Sequence, residues 1–581
     1  MFKVCSPYLK LLSEKGVNWQ QSLTPELLAR VQSEDKMIFL HIGYISNINL
    51  RESSLELFGN NSVAELLNKE FISIAEDKDD NPESFLLALD LLFLNKDFSY
   101  GPVNIFITPD RKPLVCFSDC NPEYFISIAQ DIIKAKKEKR ELLDKLADEF
   151  SKRVLNTGII KETGKIPEIN SQLLFNYIQK WFHRMFESDF LLNVKPYTPN
   201  PNSLFTVLSY LKINPDTVML ENIDNFLDRL QFSALFDPIN GGFFRQATDY
   251  TCSEPLFEKT LEENSQYLQL FAAAYDLFGK ESYKETAYVI YNFVINELKN
   301  EGGGYCSSTT LINKIEDSVY YSYSINEMSI MFPDRYQEIS VALGFDTTAS
   351  ETEQQIPLRT SDLYSVISDN ELQVLKGRRK EHRGYFKDSR IITSYNAQFS
   401  RGAAAASVYL NDKSMYKTAL ETFDYLINNN LNSNEQLLRY TCCSSGCTRG
   451  YLSDYADFIS AAVELYKVEN GKVFALVANK YLDYLIENFY KQENGMFSKS
   501  EKDRDNIIVP FKRESNIDIM KPSANSVMAG NLIEMYKISG NKKYLEIAER
   551  QINNIASDLI NSGPLLSSWA HKILLFITLP E

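Results

Sequence analysis

Histidine is nearly absent: this chain of 581 residues has four, His41, His183, His382 and His571. They are scattered, and none forms the paired-histidine helical signature of a zinc hydrolase. Cysteine is scarce too. The eight cysteines (Cys5, Cys116, Cys120, Cys252, Cys306, Cys442, Cys443 and Cys447) are too few to staple so long a chain as a disulfide scaffold. Cys442-Cys443-Ser444-Ser445-Gly446-Cys447 lacks the second cysteine pair or nearby histidine that a tetrahedral zinc site needs. No metal or cofactor is therefore expected. Long apolar runs are missing as well. The best one, Ser84 to Leu94, is broken by Asp90 and falls short of the ~18 residues of a membrane helix. Met1 to Gly16 carries Lys3, Lys10, Glu14 and Lys15 around no long apolar core, so it does not read as a signal peptide. A cytoplasmic address without a membrane association is the expectation. Positive charge is in deficit, 61 basic against 77 acidic residues. The net charge of −16 repels phosphate backbones and disfavours nucleic acid as a partner.

What is present divides the chain in two. Asp35-Lys36-Met37-Ile38-Phe39-Leu40-His41-Ile42-Gly43-Tyr44 reads as a charged turn, a buried strand and a short turn. That is how a thioredoxin-like fold enters its active-site helix. The next residues, Asn47-Ile48-Asn49-Leu50, hold no cysteine where the reactive pair would stand. Thiol–disulfide exchange needs a thiolate as attacking group, and neither Asn47 nor Leu50 supplies one. Phe71 to Ala75 reads as a second strand, after a helical Val63 to Asn68. Val103 to Thr108 reads as a third, and Pro113 to Phe117 returns as its hairpin partner. Gly101-Pro102 falls where such a fold places its cis-proline loop. From Pro122 to Asn156 the pattern is a long charged amphipathic helix, read as a linker.

From about residue 170 the pattern is helical and repeats. Four helices open with a large residue and an alanine four positions later: Tyr283/Ala287, Met415/Ala419, Phe474/Ala478 and Tyr544/Ala548. The two share a helical face, where the small residue permits close helix approach. Such hairpins cannot bury their apolar faces alone and must stack or close on themselves. The expected fold is an α/β thioredoxin-like domain (1–130), a linker helix (131–165) and an all-α (α/α)6 toroid (166–581) with a divergent segment at 307–390.

One known family carries the same landmarks in the same order. They include Ser6-Pro7-Tyr8-Leu9, Trp19, Ile42-Gly43-Tyr44, Thr108-Pro109-Asp110 and Gly241-Gly242-Phe243 with Arg245. Further landmarks are Pro255 with Phe257-Glu258-Lys259, Asn264, Thr393-Ser394-Tyr395-Asn396, Asp454-Tyr455-Ala456, and Asp518 with Pro522-Ser523 and Asn525. The chain resembles the thioredoxin domain-containing proteins related to spermatogenesis-associated protein 20. In that family a domain of unknown function precedes a six-hairpin-glycosidase-like barrel. The resemblance extends nearly end to end and implies a carbohydrate link, since that barrel is similar to glycosidases and N-acylglucosamine epimerases. This chain departs from the pattern at the redox pair (Asn47, Leu50), at Leu256 in place of a histidine, at Glu262-Glu263 in place of Tyr-Asp, and at Tyr395 and Ala397.

Sugar chemistry in a toroid pocket would use paired carboxylates. The catalytic candidates are Asp237, Glu258, Asp454 and Asp518, each near a hairpin end. Asp454 and Asp518 also fit helix caps, and Asp237 also fits a tight turn into Gly241. The candidates for holding substrate are Arg245, Asn264, Tyr395, Asn396, Tyr455 and Asn525. Their structural alternatives are a salt bridge from Arg245 to Glu258 or Asp249, asparagines that tie loop backbone, and tyrosines that fill core. Two readings compete. In one, a redox-inactive protein, enzyme or pseudo-enzyme, binds or acts on a sugar-like small molecule in the toroid. In the other, the module and the toroid surface form a scaffold for a protein partner.

Overall fold

The computed structural model describes residues 5–20, 23–97, 99, 101–157, 168–182, 196–312, 319–382, 384–441, 448–501, 516–518, 521–559 and 561–580. The chain opens with α1 (Pro7–Ser13) and α2 (Pro25–Ser33), whose first turns are capped by the side chains of Ser6 and Thr24. β1 (Met37–Gly43) is buried along its whole length and leads through a short loop to α3 (Ile48–Gly59). α4 (Asn61–Glu70), β2 (Phe71–Asp77), α5 (Pro82–Leu94), β3 (Val103–Ile107) and β4 (Pro113–Phe117) follow. The four strands form one sheet in the order β2-β1-β3-β4, with β1 parallel to β2 and antiparallel to β3. Alternate residues of β1 enter two cores. Ile38, Leu40 and Ile42 meet α5 on one face, and Phe39 meets Phe58, Phe106 and Phe125 on the other. Burial on both faces is why β1 reads as an unbroken apolar run. The Gly101–Pro102 peptide is cis.

The segment expected as a linker is packed instead. It forms α6 (Pro122–Glu138) and α7 (Arg140–Thr157), separated at Lys139. Phe125, Ala129 and Ile132 of α6 and Leu143 of α7 join one core of the module, and Phe150 of α7 joins the other. The charged faces that suggested a free helix are only the outer sides of these two. Residues 158–165, the rest of the expected linker, lie outside the described residues.

The remaining helices build a closed ring. The outer helices are α8 (Ser171–Phe182), α10 (Thr217–Gln231), α12 (Glu281–Phe293), α14 (Lys413–Asn429), α16 (Lys472–Asn488) and α18 (Lys542–Leu559). The inner helices are α9 (Pro201–Ile213), α11 (Leu261–Phe278), α13 (Thr393–Tyr409), α15 (Leu452–Glu469), α17 (Ala524–Ser539) and α19 (Ser567–Ile577). Each inner helix packs on the next, and α19 returns to α9, so the toroid closes. α8, the first helix of the ring, covers α19, the last, and the Tyr177 hydroxyl donates to the Gly563 carbonyl at 2.5 Å across that seam. The repeated large-residue/alanine pairs all lie on outer helices. α11 and α13 approach so closely that a Cβ on Gly402 would stand 2.8 Å from the Ser265 carbonyl oxygen.

The divergent segment is an insertion between α12 and α13. Its strands β6 (Ser308–Leu311) and β7 (Tyr385–Asp388) extend a sheet begun by β5 (Lys259–Thr260). Short helices between Ile325 and Lys380 enclose their own core of Tyr323, Met328, Ile339, Leu343 and Leu375. This insertion accounts for the doubled spacing between the first two repeats. Among the described residues no helix is long and apolar enough to cross a membrane.

Candidate functional site

The N-terminal ends of the inner helices face the module, which seats two loop tips on them. In the β1–α3 loop, the Ser46 hydroxyl donates to Glu258 at 2.6 Å. Arg51 follows in α3 and donates to the carbonyls of Ile45, Leu311 and Ile312 at 2.9, 2.7 and 2.6 Å. The β2–α5 loop carries Asp77-Lys78-Asp79-Asp80. Arg390, buried beyond the end of β7, pairs with Asp77 at 3.2 Å, Asp80 at 2.7 Å and Asp388 at 2.5 Å. The Tyr395 hydroxyl donates to Asp79 at 2.7 Å, and Arg439 donates to the Asp79 carbonyl at 2.8 Å. Burial pushes the Asp79 carboxyl up, but Lys78, Arg390 and Arg439 together outweigh it and hold it well below the usual range.

Beneath this cap lies the upper lumen. Arg245 sits between Glu258 at 2.7 Å and Glu263 at 2.8 Å. Lys521 pairs with Glu262 at 2.9 Å. The Gln398 amide donates to Asp457 at 2.9 Å and to Glu262 at 3.4 Å, which draws two carboxylates from facing helices together. Burial raises Glu263 to about 7 against the pull of Arg245, and raises Asp457 to about 6 against Gln398 and Lys521. A carboxyl raised in this way suits general acid–base chemistry. From the module, Lys78 stands 4.2 Å over the Tyr44 ring, and burial lowers its ammonium.

Deeper down, all six inner helices line a cavity of 230 Å³. Its polar wall includes Asn202, Gln266, Arg401, Ser460, Asn531 and Lys572, and Phe205 and Tyr409 give it aromatic sides. Gln266 is 6% exposed, yet neither its amide oxygen nor its amide nitrogen has a partner among the described residues. The cavity reaches from Pro522, near the cap, to Lys467 and Tyr409 toward the far ends of α15 and α13.

The residues singled out from the sequence do not form one constellation. Glu258 borders the seam between module and toroid, engaged by Ser46 and Arg245. Asp237 is buried away from it, paired with Lys259 at 2.6 Å and Arg379 at 2.7 Å, and pins the insertion to the ring. Asp454 pairs with Arg439 at 2.7 Å and accepts from the Tyr451 and Ser394 N–H groups, a helix-cap role. Asp518 accepts from the Ser523 and Ser568 N–H groups at 2.9 and 2.8 Å and joins the starts of α17 and α19. Arg245 makes the Glu258 salt bridge, and Tyr395 holds the cap. Tyr455 is core, among Tyr481, Tyr484 and Phe489. Asn264, Asn396 and Asn525 share one task. Each accepts from and donates to the backbone of one loop aromatic: Phe243, Tyr305 and Phe497 respectively. Their amides are committed to loops, not to the lumen. Gly242, at φ +80°, makes the first loop possible, because a Cβ there would stand 2.6 Å from the Phe293 ring.

Asn47 caps α3 by accepting from the Leu50 N–H at 3.2 Å, so the redox positions are structural. Cys116 and Cys120 are free thiols, and burial pushes Cys120 up to about 11, the wrong direction for a nucleophile. Cys5 is disulfide-bonded. Cys442, Cys443 and Cys447 lie outside the described residues, as does His183. Among the described residues no histidine, cysteine, aspartate and glutamate cluster could hold a metal ion.

Sequence reasoning missed Lys78, Asp79, Glu262, Glu263, Gln266, Gln398, Arg401, Asp457 and Lys572. A signal was available in polar residues at helical spacing inside otherwise apolar helices: Glu262/Gln266/Gln269, Gln398/Arg401 and Asp454/Asp457/Ser460. A helix buried all round keeps a polar stripe only where it faces a polar space.

The family model Thioredox_DsbH, described as a protein of unknown function, DUF255, matches residues 1–155. Spermatogenesis-associated protein 20 of Rattus norvegicus is 21% identical over 600 residues, covering 93% of this chain and 76% of that protein. The chain is a divergent relative of spermatogenesis-associated protein 20. The uncharacterized protein B0495.5 of Caenorhabditis elegans is 22% identical over 622 residues, covering 96% of this chain and 83% of that one. Among solved structures, the cellobiose 2-epimerase from Bacillus thermoamylovorans covers 70% of this chain and 98% of its own, at 10% identity and a TM-score of 0.45. The GH76 alpha-mannanase from Bacteroides thetaiotaomicron covers 72% and 97%, at 13% identity and a TM-score of 0.43.

Proposed function

We propose that the protein binds a small sugar derivative in the lumen of the toroid, and that the thioredoxin-like module is a redox-inactive cap over it. One observation carries the reading. A 230 Å³ cavity within the ring is walled by amides, hydroxyls and charges from all six inner helices, with Gln266 unpartnered among the described residues. An unmet buried amide costs roughly 1–3 kcal/mol, and a polyhydroxylated ligand supplies both the acceptor and the donor it lacks. Above the cavity, Glu262, Glu263 and Asp457 are the acid–base groups that such a ligand would meet, in place of the four carboxylates expected from the sequence. A cytoplasmic setting belongs to this reading.

The competing scaffold reading is weaker on geometry. The loop tips and the tyrosine beside Gly101 that would receive an external segment are turned to the toroid of the same chain. Isothermal calorimetry of the full chain against glucose, mannose, N-acetylglucosamine and cellobiose tests the proposal. Binding of at least one, weakened about tenfold or more in Gln266→Leu, is expected. Silence across the panel would sink it.

A further inference from the structure

The lumen is not electrically uniform, and the imbalance points to the charge of its occupant. At the outer end of the cavity, acids and bases are matched. Lys467 pairs with Glu464 at 3.5 Å and with Glu534 at 3.3 Å, and Lys537 adds a second cation to Glu534 at 3.0 Å. Further in, two cations face the cavity without such matching. Arg401 donates from one terminal nitrogen to Gln269 at 3.3 Å, and its Nε has no partner among the described residues. Lys572 donates to Nδ1 of His571 at 3.1 Å, a ring that burial and neighbouring lysines keep neutral. Neither cation has a carboxylate within ion-pair distance among the described residues.

The two sense each other. Burial first, and then Arg401 and Lys467, push the Lys572 ammonium down to about 7 against the opposing fields of Glu534 and Asp518. The position is built as well as charged. The Lys572 stem lies across Gly530 of α17, where a Cβ would stand 2.9 Å from its Cδ. Gln266, with both amide atoms unpartnered, lines the same space. Partly buried cations without a carboxylate partner gain from an anion that joins them, and an arginine fork with an ammonium lining the same cavity suits an oxyanion.

We infer that the inner half of the cavity is an anion subsite, in which Arg401 and Lys572 hold the phosphate or carboxylate of an anionic sugar while Gln266 binds a neighbouring hydroxyl. This assignment rests on the sugar-derivative reading and narrows it to acidic sugars and sugar phosphates. The acids nearby each hold contacts of their own and none is within ion-pair distance of either cation: Glu262 is paired with Lys521, Glu534 with Lys467 and Lys537, Asp457 accepts from Gln398, and Asp518 accepts from the Ser523 and Ser568 N–H groups.

Calorimetry with four probes separates the possibilities: glucose, glucose 6-phosphate, glucuronate and inorganic phosphate. An anionic sugar should bind about tenfold or more tightly than glucose. That preference should vanish in Arg401→Gln and in Lys572→Met, and be partly restored in Arg401→Lys. Whichever of the two anionic sugars binds more tightly identifies the acidic group. Circular dichroism on each variant confirms the fold, and Arg401→Lys keeps the test decisive if one neutral variant fails to fold. Glucose binding as tightly as both anionic sugars, unchanged in the variants, would overturn the subsite and leave the sugar-derivative reading standing. Phosphate binding that Arg401→Gln abolishes, with no sugar bound, would support the subsite and remove the sugar reading. Silence of all four probes would end both.

Discussion

Asp237 shows how a single side chain can be indispensable without touching the lumen. Its carboxylate accepts from Lys259 and Arg379 and also from the Ile239 N–H at 3.0 Å, all in a buried setting. Lys259 in turn donates to the Gly241 carbonyl at 2.7 Å. One acid therefore joins the turn into α11, the strand before it and the helix that ends the insertion. Asp237→Asn removes the charge and leaves two buried cations facing each other. The expected loss of stability is about 3–5 kcal/mol, read as a shift of the urea midpoint. A midpoint within error of the parent protein would show that the pair is not the anchor described. The three loop-tying asparagines follow the same logic with neutral groups. Their residue type was legible from the sequence, but which of their two roles they play was not, because an amide suits a sugar hydroxyl and a peptide group equally well.

At the scale of elements, the ring is held by close contacts that small residues permit. The run Gly402-Ala403-Ala404-Ala405-Ala406 in α13 lies against α11, and all four alanines are buried. The obstacle to a larger residue at 402 is the Ser265 carbonyl of α11, which is backbone and cannot turn aside. Gly402→Ala must push two inner helices apart and should cost roughly 1–3 kcal/mol, although alanine is the better helix former. Thermal denaturation distinguishes the outcomes, since a rise in Tm would mean that the helices are free to separate there. The elements themselves were largely visible in advance. The module's strands, the cis-proline loop and the outer-helix repeats all stand where local pattern placed them. The linker was misjudged because α6 and α7 are amphipathic with heavily charged outer faces, and amphipathicity does not say which surface an apolar stripe will cover.

For the whole molecule, the balance of buried acids sets a pH response. Burial raises Glu76 to about 7, Glu263 to about 7, and Asp457 and Asp518 to about 6. In the unfolded chain such groups titrate near 4. Between pH 4 and 7 the folded protein thus holds more protons on these four acids than the unfolded one, only partly offset by His41 and His571, which burial keeps neutral, and its stability falls as pH rises through that window. Asp79 and Asp237 behave oppositely. Their carboxyls are depressed by their cations, so their contribution is present above pH 4 and is lost as pH falls below it. Stability should therefore peak near pH 4 and decline toward both lower pH and pH 7, as urea midpoints at pH 3, 4, 5 and 7 would reveal. A midpoint that climbs steadily from pH 5 to pH 7 would contradict this account of the buried carboxyls.

The sequence by itself determined the two-part architecture, the missing redox pair and the repeated helical hairpins, because each depends on local periodicity or on the presence of one residue type. Only the tertiary structure decided where the chemistry lies. The seating of the β2–α5 loop on the inner-helix ends joins residues more than 300 positions apart, such as Asp79 with Tyr395 and Arg439. The meeting of Glu262, Gln398 and Asp457 depends on the rotation of three helices about their axes. Neither is encoded in any one segment: a helix pattern specifies that a side chain faces inward, while ring closure specifies what it faces.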